Sequence, residues 1–537
     1  MKIALAQINT SVGDIEGNTK KIIYNIKKAK SLDVDIVAFP ELAITGYPPL
    51  DLLYHDGFIQ INQNSLDKII ENTENITAVV GFVHPNDLEG KLRVGYNSAA
   101  LISNKALVGI QHKTLLPTYD VFDEARYFFP AKESKIFNLN GLNIGLQICE
   151  DLWDGDYDKK ITKILREKGA ELIFNINSSP FYKNKSAERQ ELLKKQAKEN
   201  NIPIFYVNQV GAQDELVFDG NSLIVNKNGG FVAEGKKFEE DLIVLDLEDL
   251  DKEIKVSGYS DKDLFDALVL GVRDYFKKSG FKKAVLGLSG GIDSSLTAVI
   301  ATEALGKENV VGVSMPSHYS SQHSKDDAKK LAENLGIKYS AIPIEFAFIG
   351  MKAILEREFS ELKEDITEEN LQARIRGNTL MALSNKFNYL VLSTGNKTEL
   401  ALGYCTLYGD MSGGLAVISD LSKQEVYNLS KLYNRIKNKE IIPKGSIEKI
   451  PSAELKEDQF DPFDYSRISP LVDEIVENKK GKKELLEAGY EEEEINDVLR
   501  KIKNAEYKRK QAPPGIKVTK KAFGIGRKMP IVNNFQY

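Results

Sequence analysis

Three residues in the first half of the chain have the types and settings for thiol attack on an amide. Cys149 follows the apolar run Leu142-Asn-Ile-Gly-Leu-Gln-Ile148, and a strand end is where a nucleophile is best exposed. A thiol attacks only as thiolate, so a base must take its proton. Glu41 can be that base and later the acid that protonates leaving ammonia. Lys113 can stabilise the oxyanion of the tetrahedral intermediate and lower the thiol pKa, and the backbone N–H of Glu150 can complete the oxyanion hole. The second half carries a different chemistry. The run Gly287-Leu288-Ser289-Gly290-Gly291-Ile292-Asp293-Ser294, followed by Ser295, closes a strand-like segment and opens a helix-like one. A helix N-terminus offers unpaired N–H groups and partial positive charge, and glycines let the backbone approach phosphate. Ser294 and Ser295 add hydroxyl donors. A bare Asp293 would repel phosphate, but it makes sense as a ligand of Mg²⁺, which prefers oxygen. The run is neither a Walker A loop nor the Gly-x-Gly-x-x-Gly dinucleotide fingerprint.

These residues need scaffolds. A length of 537 residues suggests roughly three to four domains, or fewer if the α/β units are long. The chain is 42% hydrophobic and 28% charged, with a formal net charge of −6. That argues against a nucleic-acid binder, which usually shows clustered basic charge. Cys149 and Cys405 are the only cysteines, so no disulfide framework is expected and a cytoplasmic location fits. No apolar run approaches the about 20 residues of a membrane span, so no membrane partner is expected.

Strand candidates in the first half are 2–8, 35–39, 76–83, 98–102, 106–111, 142–148, 171–176 and 202–208, rich in Ile, Val, Phe and Ala. Residues 20–30 place Ile22, Ile23 and Ile26 at helical spacing. Asn228-Gly-Gly between Ser222-Leu-Ile-Val and Phe231-Val-Ala signals a hairpin. Residues 246–261 are charged and read as a linker between a domain of residues 1–245 and one of residues 262–537. A helix over 261–279 follows, then strand, glycine loop and helix, with further βα alternations at 309–335 and 389–401. This spacing predicts a parallel sheet with helices on both faces. Residues 482–509 read as helical, with Glu491 to Glu494 at a helix start.

Taken singly, these residues have plain structural readings. A cysteine after a strand is usually just buried, and Arg374, Arg376 and Lys423 read as surface charges. The joint pattern promotes most of them. Phe39-Pro-Glu41-Leu, Gln111-His-Lys113-Thr-Leu-Leu-Pro117 and Cys149-Glu-Asp-Leu-Trp153 resemble, in order, the three motif blocks of the nitrilase superfamily. The resemblance covers about residues 1–245. It implies a four-layer αββα sandwich and a Glu41, Lys113, Cys149 triad for amide hydrolysis. The glycine run resembles the loop of N-type ATP pyrophosphatases, in a doubly wound, Rossmann-like parallel-sheet domain. Glu369-Asn-Leu-Gln-Ala-Arg-Ile-Arg376, Ser393-Thr-Gly-Asn-Lys-Thr-Glu399, Tyr408-Gly-Asp410, Leu421-Ser-Lys423, Pro451-Ser-Ala-Glu-Leu455 and Lys508-Arg-Lys-Gln-Ala-Pro-Pro-Gly515 narrow it to the NAD synthetases.

The resemblance implies ATP and Mg²⁺, with deamido-NAD and L-glutamine as further substrates and a homo-oligomeric chain. The ATP set is Gly287 through Ser295 with Thr394, Lys423 and Ser452. Asp293 and Glu399 would hold the metal. Asn370, Arg374, Glu399, Asp410 and Lys508 would hold deamido-NAD. Tyr119, Glu150, Ser179 and Lys185 would hold glutamine, although Lys185 stands where an arginine is usual and lacks its bidentate fork. Glu124 is a candidate second positioning carboxylate. Cys405 reads as structural. Two rival readings are an amidotransferase of the same ATP pyrophosphatase class acting on another acid, and a nucleotide sensor with a vestigial amidase. Guanylate and asparagine synthetases share the loop, but their glutaminase halves are not nitrilase-like. The intact Glu41, Lys113 and Cys149 set argues against decay.

Overall fold

Runs of three to nine mostly apolar residues are too short for core helices and long enough for buried strands. In the first half they form β1 (Lys2–Gln7), β2 (Ile36–Ala38), β3 (Thr77–Pro85), β4 (Gly95–Ser103), β5 (Ala106–His112), β6 (Ile136–Leu139), β7 (Leu142–Ile148), β8 (Leu172–Asn177), β9 (Ile204–Asn208), β10 (Val210–Gln213), β11 (Leu216–Asp219), β12 (Leu223–Val225), β13 (Phe231–Glu234) and β14 (Asp241–Asp246). The computed structural model describes all residues except 87–92, 361, 458, 536 and 537. Two six-stranded sheets result, ordered β14-β1-β2-β3-β4-β5 and β13-β12-β9-β8-β7-β6, with β10 and β11 a separate hairpin. The centre of each sheet is parallel, β1-β2-β3 in one and β7-β8-β9 in the other. Antiparallel strands flank both.

Alternation along each strand sets the layers. Ile3 and Leu5 of β1 share a core with Leu146, Ile148, Phe174 and Phe205 of the second sheet. Their neighbours Ala4 and Ala6 face the other way, onto Ile22 and Ile26 of the helix Ile15–Lys30. On the far side, Ile173, Ile204 and Tyr206 meet Leu193 and Ala197 of the helix Lys185–Asn200. The order is helix, sheet, sheet, helix: the four-layer αββα sandwich. Each large apolar side chain withdrawn from water contributes about 1.5–3 kcal/mol to this packing. The sequence reading omits β6, β10, β11 and β14. Two of these, β6 and β14, are edge strands, where one side meets no partner and the residue pattern is less uniformly apolar.

The chain divides into two compact units, Met1–Asp263 and Leu264–Tyr537. Residues 246–261, read from sequence as a linker, run along the first unit. Ile254 N–H donates to Phe231 O at 2.7 Å, and Lys237 Nζ donates to Gly258 O at 2.7 Å.

The second unit holds β15 (Ala284–Gly287), β16 (Val310–Ser314), β17 (Lys338–Ala341), β18 (Leu390–Ser393) and β19 (Leu415–Ala416), ordered β17-β16-β15-β18-β19 and parallel throughout. The chain builds outward from β15 on one side, then returns to build outward on the other. This is a doubly wound sheet, and its switch point lies between the carboxyl ends of β15 and β18, where such sheets bind ligands. Leu380 of the helix Ile366–Phe387 packs on Val285, Val311 and Val391 across one face. Four helices, Lys397–Leu402, Tyr465–Val476, Lys482–Glu487 and Glu492–Asn504, make a satellite core around Leu471, Leu485 and Val498. Among the described residues no helix is long and apolar enough to cross a membrane.

Candidate active sites

In the first unit the reactive residues sit at carboxyl ends of strands. Glu41 follows β2, Lys113 directly follows β5, Cys149 directly follows β7, and Ser178 and Ser179 follow β8. The Glu41 loop can lie flat on β3 because residue 81 is glycine. A Cβ there would meet Pro40 O at 2.4 Å and Leu42 N at 2.5 Å.

Lys113 Nζ donates to Glu41 Oε1 and to Glu124 Oε1, each at 2.7 Å. Both side chains of the Glu41–Lys113 pair are 0% exposed. Burial opposes the lysine charge, but Glu124 and Glu41 outweigh it and hold the ammonium well above its ordinary range. Asn97 Nδ2 donates to Glu41 Oε1 at 2.7 Å and to Glu124 Oε2 at 3.2 Å, and Tyr47 O–H donates to Glu124 Oε1 at 2.9 Å. Ser178 N–H donates to Glu41 Oε2 at 2.9 Å. An ammonium has three donors, so Lys113 keeps one for a ligand, and a carboxylate oxygen with one donor keeps a lone pair for a proton.

Cys149 is buried and has a φ of +45°, left-handed backbone that a non-glycine residue adopts only when its surroundings impose it. Asp151 supplies part of that frame. Its Oδ2 accepts from Ile148 N–H at 3.1 Å, and its Oδ1 accepts from Thr114 and Leu115 N–H at 2.9 and 2.8 Å. One buried carboxylate therefore ties the cysteine turn to the lysine segment. Burial pushes the Cys149 thiol well up, Glu41 adds to this, and Lys113 offsets part. The resting group is a thiol.

Of the residues expected around glutamine, Glu150 accepts from Tyr119 O–H at 3.0 Å and from Tyr157 O–H at 3.0 Å. Lys185 Nζ lies 3.5 Å from the centre of the Trp153 ring. Burial and the neighbouring Arg189 push Lys185 down to about 8. Arg189 is itself held bidentately by Asp219 at 2.9 and 3.0 Å. Ser179 N–H donates to Asn208 Oδ1 at 2.9 Å.

In the second unit a cavity of about 320 Å³ opens at the switch point. Gly287, Leu288, Ser289, Gly291, Ile292, Asp293 and Ser294 line it from β15 and the helix Ile292–Leu305, and Thr394, Glu399, Asp410, Lys423 and Ser452 line it from elsewhere. Gly290 has φ +80°, and a Cβ there would meet Ser324 O at 2.2 Å. Only glycine fits that position. Ser295 does not line the cavity; it is buried and donates to Gly291 O at 2.8 Å, bracing the first helical turn. Asn370, Arg374 and Lys508 also stand back from the cavity. They brace the segment 403–407: Asn370 Oδ1 accepts from Thr406 O–H at 2.7 Å, Arg374 Nε donates to Leu407 O at 3.2 Å, and Lys508 Nζ donates to Gly403 O and Cys405 O at 2.9 and 2.7 Å.

Two carboxylates converge on one cation. Lys423 Nζ lies 2.5 Å from Asp293 Oδ2 and 3.7 Å from Glu399 Oε1. Asn396 aligns both, donating to Asp293 Oδ1 at 2.9 Å and capping the helix that starts with Lys397 by accepting from Glu399 N–H at 3.0 Å. Burial and then Asp293 push Glu399 up to about 8, the mark of a carboxylate pair short of positive charge. The pair suits a hard divalent cation. Among the described residues no group of three or more His, Cys, Asp or Glu side chains is placed to hold a metal ion. Phosphate oxygens and water would fill the remaining positions, the usual Mg²⁺ arrangement.

Sequence reasoning missed Asn97, Tyr47, Ser178 and Asp151. Only Asp151 had a local signal, its place two residues after the thiol. Asn396 could have been found from the Asn-x-x-Glu capping pattern. Arg376, read as a surface charge, lines the cavity instead.

A buried thiol site on an αββα sandwich and a glycine-loop cavity on a doubly wound sheet define a two-site carbon–nitrogen enzyme. The carbon-nitrogen hydrolase family matches residues 2–252, and the NAD synthase family matches residues 264–512. A glutamine-dependent NAD(+) synthetase of Thermotoga maritima is 42% identical over 100% of this chain and 99% of its own length. The structure of the glutamine-dependent NAD+ synthetase from Acinetobacter baumannii in complex with ADP is 38% identical, covers 99% of this chain and 98% of its own, and superposes with a TM-score of 0.79. The Cytophaga hutchinsonii synthetase, 24% identical with a TM-score of 0.86, shares the fold. The chain belongs to the family of glutamine-dependent NAD(+) synthetases, carbon–nitrogen ligases built from a nitrilase-like and an NAD synthase domain.

Proposed function

We propose that this chain amidates deamido-NAD to NAD, spending ATP and drawing nitrogen from L-glutamine. The observation that carries the reading is the presence on one chain of both constellations: Glu41–Lys113–Glu124 around the Cys149 turn, and Asp293–Lys423–Glu399 beside the glycine loop. At the first, Glu41 takes the thiol proton through its free Oε2 lone pair as Cys149 Sγ attacks the glutamine amide carbon. Lys113 and the N–H of Glu150 hold the oxyanion. Collapse breaks the C–N bond, Glu41 protonates the leaving ammonia, and a glutamyl thioester remains. Water, deprotonated by Glu41, then releases glutamate. Tyr119, Glu150, Ser179 and Lys185 hold the substrate, with Lys185 facing its carboxylate.

At the second site the loop residues 287–294, Thr394, Lys423 and Ser452 hold ATP, and Ser295 braces the first helical turn behind them. The nicotinate carboxylate attacks the α-phosphorus and pyrophosphate leaves. Ammonia then displaces AMP from the adenylate to give NAD. Bound Mg²⁺ would be held by Asp293 and Glu399 and would neutralise phosphate charge. Asp410 lines the deamido-NAD side, and Asn370, Arg374 and Lys508 shape it by bracing 403–407. The domain assignment is residues 1–245 for the glutaminase and 262–537 for the synthetase. A cytoplasmic setting is supported by two free cysteines. Self-association is supported by exposed apolar side chains on two packed helices: Phe346, 90% exposed, with Ile349 and Ile354 on Glu345–Phe359, and Phe387 on Ile366–Phe387.

The test is NAD formation from deamido-NAD, ATP and Mg²⁺, supplied with glutamine in one tube and ammonium in another. NAD and AMP are expected in both. Their absence from both would discard the substrate assignment.

A further inference from the structure

The cavity of the second unit contains a cation for which the scheme above has no role. Arg376 lies on the helix Ile366–Phe387, one turn before Leu380, whose Cδ1 would sit 3.7 Å from a Cβ at Gly287 of the glycine loop. Its Nε donates to Met315 O at 2.9 Å, just past the carboxyl end of β16, and its side chain forms part of the cavity wall. That tether uses one of five N–H donors.

Arg376 joins no ion pair among the described residues. The one carboxylate whose charge reaches it, Glu454, is committed elsewhere. Glu454 Oε1 accepts from Lys449 Nζ at 2.6 Å, from Ser324 O–H at 2.7 Å and from Ser321 O–H at 2.9 Å. Four other buried cations are each matched by a carboxylate: Lys113 by Glu41 and Glu124, Arg189 by Asp219, Lys397 by Asp473 and Lys423 by Asp293. Burial pushes Arg376 down to about 10, so it is still charged at neutral pH. Holding a guanidinium out of water without a counter-ion costs stability. A planar fork with free donors is well suited to phosphate oxygens.

We propose that Arg376 is the counter-charge for a phosphate group of the substrate nucleotide in this cavity. The inference rests on the reading of the cavity as the synthetase site. It adds to the roles assigned above, where Lys423 is the one cationic side chain among the residues that hold ATP.

The experiment compares the full-length wild type, Arg376→Met and Arg376→Lys. Affinities for ATP with Mg²⁺, deamido-NAD, AMP and adenosine are measured by calorimetry, and thermal unfolding is measured without ligand. Arg376→Met should bind ATP or deamido-NAD on the order of tenfold to a hundredfold more weakly, as for loss of a charge-assisted hydrogen bond. Whichever nucleotide weakens identifies the phosphate concerned. Adenosine affinity should not change, and Arg376→Lys should fall between. Ligand-free Tm should hold or rise, because an unmatched charge has been removed. Unchanged binding of both phosphorylated substrates, or equal loss for adenosine with a lowered Tm, would overturn the proposal. Wild type that binds neither nucleotide would instead sink the reading of the cavity itself.

Discussion

At the residue scale the thiol site is organised around carboxylates that are already partly occupied. Glu41 meets three donors, from Asn97, Lys113 and Ser178, which fix its plane and leave one Oε2 lone pair for the thiol proton. Cys149→Ala should abolish glutamine-dependent NAD formation and keep the ammonia-dependent reaction; loss of both would contradict two separable chemistries. Asp293→Ala should instead depress both nitrogen sources, since it removes a carboxylate from the ATP side; near-normal rates would take Asp293 out of the site. Lys185 gives a pH signature. Its resting pKa is about 8, below the ordinary lysine value, and a bound carboxylate favours the charged form. Glutamine binding should therefore be full below pH 8 and weaken above it, with KM rising by roughly tenfold per pH unit over that range. Arg at this position stays charged, so Lys185→Arg should flatten the profile. A wild-type KM indifferent to pH between 7 and 10 would free Lys185 from the carboxylate.

At the element scale, both sites are built at the carboxyl ends of strands, most of them parallel. A few residues let those ends converge, and glycine does so by having no side chain. Gly81→Ala would drive a methyl group into the backbone at Pro40 and Leu42 and shift the Glu41 loop. A misplacement of 1 Å can cost about a hundredfold in rate. Glutaminase turnover should fall by that order while ammonia-dependent synthesis persists. Gly290→Ala meets Ser324 O from an already left-handed backbone, and it should depress synthesis from both nitrogen sources. Parallel assays with the two donors separate the cases; a shared loss in Gly81→Ala would point to global unfolding.

At the scale of the whole molecule there are two compact units, each with its own sheets and core. Binding to the native cavity alone stabilises it by mass action, about 2.7 kcal/mol when the ligand is a hundredfold above its Kd. ATP with Mg²⁺ should raise the unfolding temperature in scanning calorimetry, and Asp293→Ala should lose most of that rise. No shift in wild type would argue against nucleotide binding.

The central strands, the hairpin at 223–234, the helix Asp261–Ser279 and the glycine-loop turn were legible because each is decided by local periodicity and turn chemistry. The strands flanking the nucleophile were legible for the same reason. The edge strands β6 and β14 were not, because a strand with one partner needs no distinctive composition. Cys149, Glu41 and Lys113 could be named from their local motif blocks. Their mutual contact could not be read from residue types, since it comes from three strand ends more than thirty residues apart meeting between two sheets. The same holds for Asn97, which nothing in its own neighbourhood marks, and for Asp151, two of whose partners, Thr114 and Leu115, lie in the segment after β5. Arg376 is the clearest case. On a helix surface it is an ordinary charge, and only packing of that helix against β15 and β16 puts it in a cavity wall without a counter-ion. Sequence alone determined the element types and the chemistry on offer, because these depend on neighbours along the chain. The tertiary structure decided which groups are desolvated and which charges are paired, because those depend on neighbours in space.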